Sequence, residues 1–163
     1  MNISYLLIGG NEGNRMAWLA DACAQIEESA GIILRLSSFY ETAAWGKTDQ
    51  DDFLNQALQV QTELDAPSLL FALLKIEEKM GRRRMEKWGS RLIDIDILFF
   101  NEEIIRLPEL VIPHPEIQNR RFALVPMEEI APLYIHPVLE RSIRDLLAEC
   151  PDKLDVKKIV PII

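Results

Sequence analysis

An α+β sandwich with a mainly antiparallel sheet is the fold class that the sequence predicts. Hydrophobic residues recur at every second position in some stretches and at every third or fourth in others, and these stretches alternate along the chain. Glycines, prolines and polar clusters punctuate them at the intervals expected of short connections. Residues 2–9 read as a buried strand ending at Gly9-Gly10. A helix follows over 15–29, with Trp18, Leu19, Ala22, Cys23 and Ile26 at helical spacing. Residues 32–41 and 53–63 alternate as strands on either side of a polar loop. Ala66-Pro67-Ser68 opens a second helix whose Leu69, Leu73, Ile76 and Met80 share a face, and Gly81 ends it. A basic loop over 82–91 leads to a strand over 93–100 and a short strand over 102–106. Short helices are expected around 117–131 and 139–149, with a final strand at 155–160. The leading order β-α-β-β-α-β gives a ferredoxin-like sandwich. No repeat, low-complexity tract or linker divides the chain, so residues 1–163 are expected to form a single domain.

Composition narrows the partners. Hydrophobic residues make up 48% of the 163 and charged residues 27%, the balance of a globular protein with a substantial core. No apolar run is long enough to span a bilayer, and the chain begins with strand-like residues rather than a charged leader. Cys23 and Cys150 are expected to be reduced thiols, which together point to a cytoplasmic location. The net charge of −8 argues against a nucleic-acid partner, since that needs a broad basic face. It also makes local basic density informative. Arg82, Arg83, Arg84, Lys87 and Arg91 crowd one short segment, and Arg120-Arg121 adds a pair.

Two phosphate-binding patterns are approached and missed. Gly9-Gly10-Asn11-Glu12-Gly13 joins a strand to a helix without the dinucleotide spacing and reads as a tight turn. Gly46-Lys47-Thr48 resembles the end of a P-loop, but Glu41 stands where its first glycine belongs.

The stretch from Ile93 to Ile97 carries more. Side chains alternate along a strand, so Asp94 and Asp96 project from one face and Ile93, Ile95 and Ile97 from the other. Two adjacent carboxylates repel, and a divalent cation resolves that repulsion; magnesium favours one or two carboxylates, water and phosphate oxygens. Solvent-facing aspartates on an edge strand are the plainer alternative. The basic loop tilts the balance, because guanidinium groups pair with phosphate oxygens and Trp88 beside Gly89 offers a flat stacking surface. A helix C-terminus accounts for Arg82 but not for Arg91, which lies well beyond it. The combination reads as a polyphosphate site.

These residues also carry a resemblance. Gly81-Arg82-Arg83-Arg84, followed by Trp88-Gly89-Ser90-Arg91-Leu92-Ile93-Asp94-Ile95-Asp96-Ile97-Leu98, resembles the signature of the 6-hydroxymethyl-7,8-dihydropterin pyrophosphokinase family of folate biosynthesis. Gly9-Gly10-Asn11, Ser37-Ser38-Phe39-Tyr40-Glu41-Thr42, Phe53-Leu54-Asn55, Ile112-Pro113-His114 and Asn119-Arg120-Arg121-Phe122 match in the same order, from about residue 3 to 133.

The resemblance implies an ATP-dependent enzyme that moves pyrophosphate to the pterin's hydroxymethyl group and releases AMP. It implies two magnesium ions on Asp94 and Asp96, with Arg82 and Arg91 steadying phosphate charge during transfer. Arg84, Lys87, Trp88, Ile97, His114 and Arg120 would bind ATP. Glu77, on the helical face of Leu70, Leu73 and Leu74, would lie near the nucleotide or form an internal salt bridge. The pterin is flat and edged with donors and acceptors, so it needs stacking rings and a few polar groups. By correspondence Thr42, Ala43, Trp45, Phe53, Asn55, Trp88, Asp94 and Phe122 would supply them. His136 has no matching role and is expected to be structural.

The chain departs from the family where Ala43-Ala44 replaces common prolines, and at Trp45, Leu74, Ser90 and Pro115. None of these removes a metal ligand or a central arginine. A monomer is expected, with no membrane partner and no room for a second catalytic domain. The competing class is a noncatalytic ferredoxin-like module that senses nucleotide or binds RNA. An RNA surface needs exposed aromatics on central strands, whereas Phe99-Phe100 read as buried.

Overall fold

The computed structural model describes residues 1–43, 52–81 and 93–160. Its strands are β1 (Asn2–Gly10), β2 (Ile32–Leu36), β3 (Phe39–Thr42), β4 (Phe53–Thr62), β5 (Asp94–Phe100), β6 (Ile105–Leu107), β7 (Leu110–Ile112) and β8 (Val156–Ile159). Its α-helices are α1 (Arg15–Ser29), α2 (Ala66–Lys79), α3 (Arg121–Ile130) and α4 (Ile143–Glu149), with a 3-10 turn at Ile117–Asn119. The main sheet runs β5-β1-β4-β3-β8, and β2 also pairs with β4. All of its pairings are antiparallel. Taking β2 and β3 as two pieces of one position, this is the expected ferredoxin-like sandwich.

Local chemistry sets the helix ends. The Asn14 side chain accepts from Ala17 N–H at 3.2 Å, and Asp65 accepts from Ser68 N–H at 2.8 Å, each filling an otherwise unpaired donor of a first turn. Gly81 follows α2 at φ +85°, a backbone that glycine adopts without penalty. The amphipathic helices then bury their apolar stripes on opposite faces of the sheet. Leu19, Ala22, Ile26, Leu69, Leu73 and Ile76 join Leu6, Ile8, Leu54, Leu58 and Ile93 in one core. Ala123, Leu124, Met127, Ile130, Ile143 and Leu146 close the other over Tyr5, Leu7, Ala57 and Phe99.

Several boundaries differ from expectation. The strand expected over 32–41 breaks at Ser37-Ser38, where Ser37 N–H donates to Ala57 O and the Ser38 side chain turns to Glu129. The strand expected at 102–106 falls at 105–107, because Asn101 takes φ +51° in a turn, and it pairs with β7, which periodicity did not signal. The helix expected over 117–131 is interrupted at the extended Arg120, and that expected from 139 starts only at the Ser142 cap. Both cysteines are free thiols, Cys150 buried and Cys23 half-buried. Phe99 and Phe100 are buried, and His136 is structural as expected, its Nδ1 accepting from Val138 and Leu139 N–H.

Candidate functional site

Strand register builds one line of side chains across the sheet. Asp94 lies opposite Gly9, Gly9 opposite Asn55, and Asn55 opposite Tyr40. Directly paired residues project to the same side, so Asp94, Asn55 and Tyr40 share the face on which α3 packs. Asp96 follows opposite Leu7, and Thr42 stands opposite Phe53. Strands lie about 4.8 Å apart, so Asp94 and Asn55 are separated by roughly 10 Å of sheet.

Gly9 is the floor between them. A Cβ built there would fall 2.1 Å from Asn55 Oδ1 and 3.1 Å from the Leu54 carbonyl oxygen. The Asn55 carboxamide therefore lies over the glycine. The tight turn expected over residues 9–13 falls at its far end, since Gly9 and Gly10 still belong to β1 and the chain bends at residues 12–14, with Gly13 at φ +65°. Asn55 is 6% exposed and Thr42 3%. The Thr42 hydroxyl is buried without a hydrogen-bond partner among the described residues, a condition that ordinarily destabilises a fold.

The alternation expected in β5 is present. Ile93, Ile95 and Ile97 are buried, Asp94 is half-buried and Asp96 exposed. Between the aspartates, the Ile95 N–H donates to Glu77 Oε2 at 2.7 Å. Glu77 is buried with Leu69, Leu73 and Ile76, and Leu74 on the expected shared face is exposed, because the stripe facing the sheet is rotated toward Ile76. Among the described residues no group of three or more His, Cys, Asp and Glu side chains is placed to hold a metal. The paired carboxylates suit an ion that completes its shell with water and a ligand's oxygens.

A cleft of about 280 Å³ adjoins them, lined by Leu70, Ile95, Asp96, Ile97, Pro108, Glu109, Leu110, Val111, His114 and Pro115. Ile97 lies two residues beyond Ile95, whose N–H points away from β1, so the backbone of Ile97 faces the same outer edge. His114 follows Pro113 of the cis Ile112–Pro113 bond, and its N–H donates to Leu98 O at 2.9 Å. Its Nδ1 accepts from Glu116 N–H at 3.1 Å, which leaves Nε2 as the protonated, donating nitrogen. Burial, then Arg120, lower its pKa to about 4 against the opposing pull of Glu116. The Arg120 guanidinium sits 5.7 Å from the Phe122 ring centroid at the start of α3.

The register thus aligns Asp94, Asn55 and the Thr42–Phe53 pair on one face, while Asp96, Ile97 and His114 border the cleft. Ala43 is exposed just past β3. Trp45, Arg82, Arg84, Lys87, Trp88 and Arg91 lie outside the described residues. Sequence reasoning missed Leu70 and the Pro108–Val111 hairpin as cleft walls. The β6–β7 hairpin is too short for a period to reveal.

The sequence model of the 7,8-dihydro-6-hydroxymethylpterin-pyrophosphokinase family matches residues 5–132. The chain is 39% identical over 145 residues to the 2-amino-4-hydroxy-6-hydroxymethyldihydropteridine pyrophosphokinase of Aquifex aeolicus, covering 89% of this chain and 90% of that one. It is 41% identical over 130 residues to the Bacillus subtilis protein of the same name, covering 79% and 78%. Among solved structures, it is similar to Plasmodium falciparum HPPK-DHPS with STZ-DHP at a TM-score of 0.75 and 22% identity. That likeness covers 91% of this chain but 43% of the solved one, so the chain spans less than half the length of that protein.

Proposed function

The chain belongs to the 7,8-dihydro-6-hydroxymethylpterin-pyrophosphokinase family, and on that premise we propose that residues 1–163 form one domain transferring pyrophosphate from ATP to 6-hydroxymethyl-7,8-dihydropterin in folate biosynthesis. The hydroxymethyl oxygen forms a bond to the β-phosphorus, the bond from that phosphorus to the α–β bridging oxygen breaks, and AMP leaves with the electron pair. The hydroxyl proton passes to the medium.

The observation that carries this reading is the line from Asp94 over Gly9 to Asn55. Its span of roughly 10 Å suits a bicyclic ring held by an amide at one end and presenting its alcohol to a carboxylate site at the other. The absence of a Cβ at Gly9 lets the Asn55 carboxamide lie flat over β1, where it can meet the ring's edge, and the Thr42 hydroxyl, without a partner among the described residues, gives that edge a further polar contact. Phe53 and Phe122 supply apolar surface to its faces. Ala43, Trp45 and Trp88 complete this pocket by correspondence with the family.

ATP fits the adjoining cleft, with its base against Leu70 and the Ile97 backbone and its phosphates toward Asp96. His114, neutral with Nε2–H outward, donates to a phosphate oxygen, and Arg120 adds charge. Arg82, Arg84, Lys87 and Arg91 hold phosphate from the basic segment. Glu77 serves the nucleotide side by fixing the backbone between the aspartates. Asp94 and Asp96 would hold magnesium, which when bound neutralises phosphate charge and favours in-line displacement. We place the enzyme in the cytoplasm as a monomer with no nucleic-acid or membrane partner, in keeping with its acidic charge; none of the described helices is long and apolar enough to cross a membrane.

The test is AMP formation from ATP. It should require both magnesium and the pterin alcohol, and Asp94→Ala should abolish it. AMP formed equally without the pterin, or undiminished in Asp94→Ala, overturns the assignment.

A further inference from the structure

The Asn55 line ends at Tyr40, and Tyr40 leads to a contact that none of the roles above includes. The Tyr40 hydroxyl donates to Glu129 Oε1 at 2.6 Å, while Ser38 N–H and Ser38 Oγ–H donate to the same carboxylate at 2.9 and 3.0 Å. Although Glu129 as a residue is exposed, its carboxyl is partly desolvated against β3, and donation by Tyr40 and Ser38, with Lys158, outweighs that desolvation and holds it below its usual pKa. The carboxylate is thus ionised, and hydrogen bonds to an ionised acceptor are the stronger kind. A second tie acts at the same end of α3, where Arg35 Nη1 donates to Ile130 O at 2.9 Å.

Glu129 and Phe122 are seven residues apart on α3, two turns of helix and therefore on one side of it. The stripe that Glu129 fastens to β3 is the stripe that carries Phe122. At the sheet, Glu129 is fastened to the residue directly opposite Asn55. One carboxylate thereby links the two walls between which a flat ring has to fit.

We infer that Glu129 is a positioning residue for the pterin: through Tyr40 and Ser38 it sets the separation of Phe122 on α3 from Asn55 on β4. Glu129 itself touches no substrate. This rests on the pterin reading, and it predicts a division of effects. Removing the tie should loosen the pterin slot and largely spare the nucleotide cleft, because the cleft walls Leu70, Ile97, Pro108 and Val111 belong to other elements and Arg120 alone among the nucleotide residues adjoins α3, at the end far from Glu129.

The experiment compares Glu129→Ala, Glu129→Gln and Tyr40→Phe in the full chain. In the ligand-free proteins, the Phe122 ring and Asn55 amide resonances should shift in Glu129→Ala and in Tyr40→Phe. In turnover, Glu129→Ala should raise the pterin KM about tenfold, with the ATP KM within twofold of the parent; Glu129→Gln, which keeps one acceptor oxygen, should recover part of the loss. Unshifted Phe122 and Asn55 resonances overturn the positioning role whatever the substrate proves to be. Equal changes in the two KM values also overturn it. Absence of pterin-dependent AMP formation in the parent chain would instead refute the functional reading, and the resonances would still decide the positioning role.

Discussion

Glu77 reaches from α2 to the backbone of Ile95, placing Oε2 2.7 Å from its N–H, midway between the two aspartates of β5. A carboxylate this buried is tolerated because it is hydrogen-bonded, and the bond fixes a peptide whose neighbours on either side are Asp94 and Asp96. Glu77→Ala should leave the Ile95 N–H without its acceptor and lower stability by about 1–3 kcal/mol. Glu77→Gln, which keeps an acceptor oxygen, should lose less. Urea unfolding of the three proteins checks the order, and equal stability of Glu77→Ala and the parent would refute the role given to this bond.

Gly9→Ala tests the floor. The nearest atom to the new methyl is Asn55 Oδ1, the far end of a side chain that can swing away, while the Leu54 carbonyl is merely tight. The fold should survive at a loss of roughly 1–3 kcal/mol, but Asn55 should be displaced. Calorimetry should show pterin affinity reduced more than tenfold, with the affinity for a nonhydrolysable ATP analogue within twofold. Unchanged pterin binding would separate Gly9 and Asn55 from the substrate.

His114 gives a pH signature. Its folded pKa is pushed down to about 4, chiefly by burial, from an ordinary value of 6.5. Between those limits the unfolded chain takes up a proton that the folded chain refuses, so His114 stabilises the fold above pH 6.5 and that contribution fades as pH falls toward 4. The loss amounts to no more than about 3 kcal/mol. NMR titration of the ring protons should find no His114 inflection between pH 6 and 8 in the ligand-free protein. An inflection near 6.5 would contradict the buried, neutral state.

Arg15 ties Glu41 at the end of β3 to Asp52 just before β4. Its guanidinium meets Glu41 at 2.7 Å and donates to the Asp52 carbonyl at 2.8 Å. Each side chain of the pair is a quarter exposed, so solvent screens the attraction. Glu41→Gln should lower stability by less than about 1 kcal/mol, and the difference should shrink in 0.5 M salt, as thermal unfolding can measure. A salt-independent loss above about 2 kcal/mol would point to packing rather than charge.

The Asp94 and Asp96 pair was legible because strand alternation is a local rule, and Asn55 because an amide in an apolar strand asks for a partner. The layered fold was legible for the same reason, as period and punctuation are local. What joins these residues is not local. That Asp94, Gly9, Asn55 and Tyr40 form one line depends on the register of four strands, which no single segment encodes. Glu129 reads in sequence as an ordinary helix-surface acid, and its bonds to Ser38 and Tyr40 span 89 or more positions. The face of Glu77 was misjudged by one helical step because Leu74 looks like core but lies exposed.

A strand at the rim of a sheet invites a second chain to extend it, which is how many proteins begin to aggregate. Among the described residues β5 is such a rim strand, and it carries the Asp94–Asp96 pair. The groups that frame the site also blunt its rim: Glu77 occupies the amide of Ile95, the His114 N–H occupies the carbonyl of Leu98, and Asp96 brings charge that a pairing neighbour would have to desolvate. Protection against self-association is therefore written into residues that we propose serve the ligands, and substitutions at Glu77 or Asp96 should shorten the time this protein stays clear in concentrated solution.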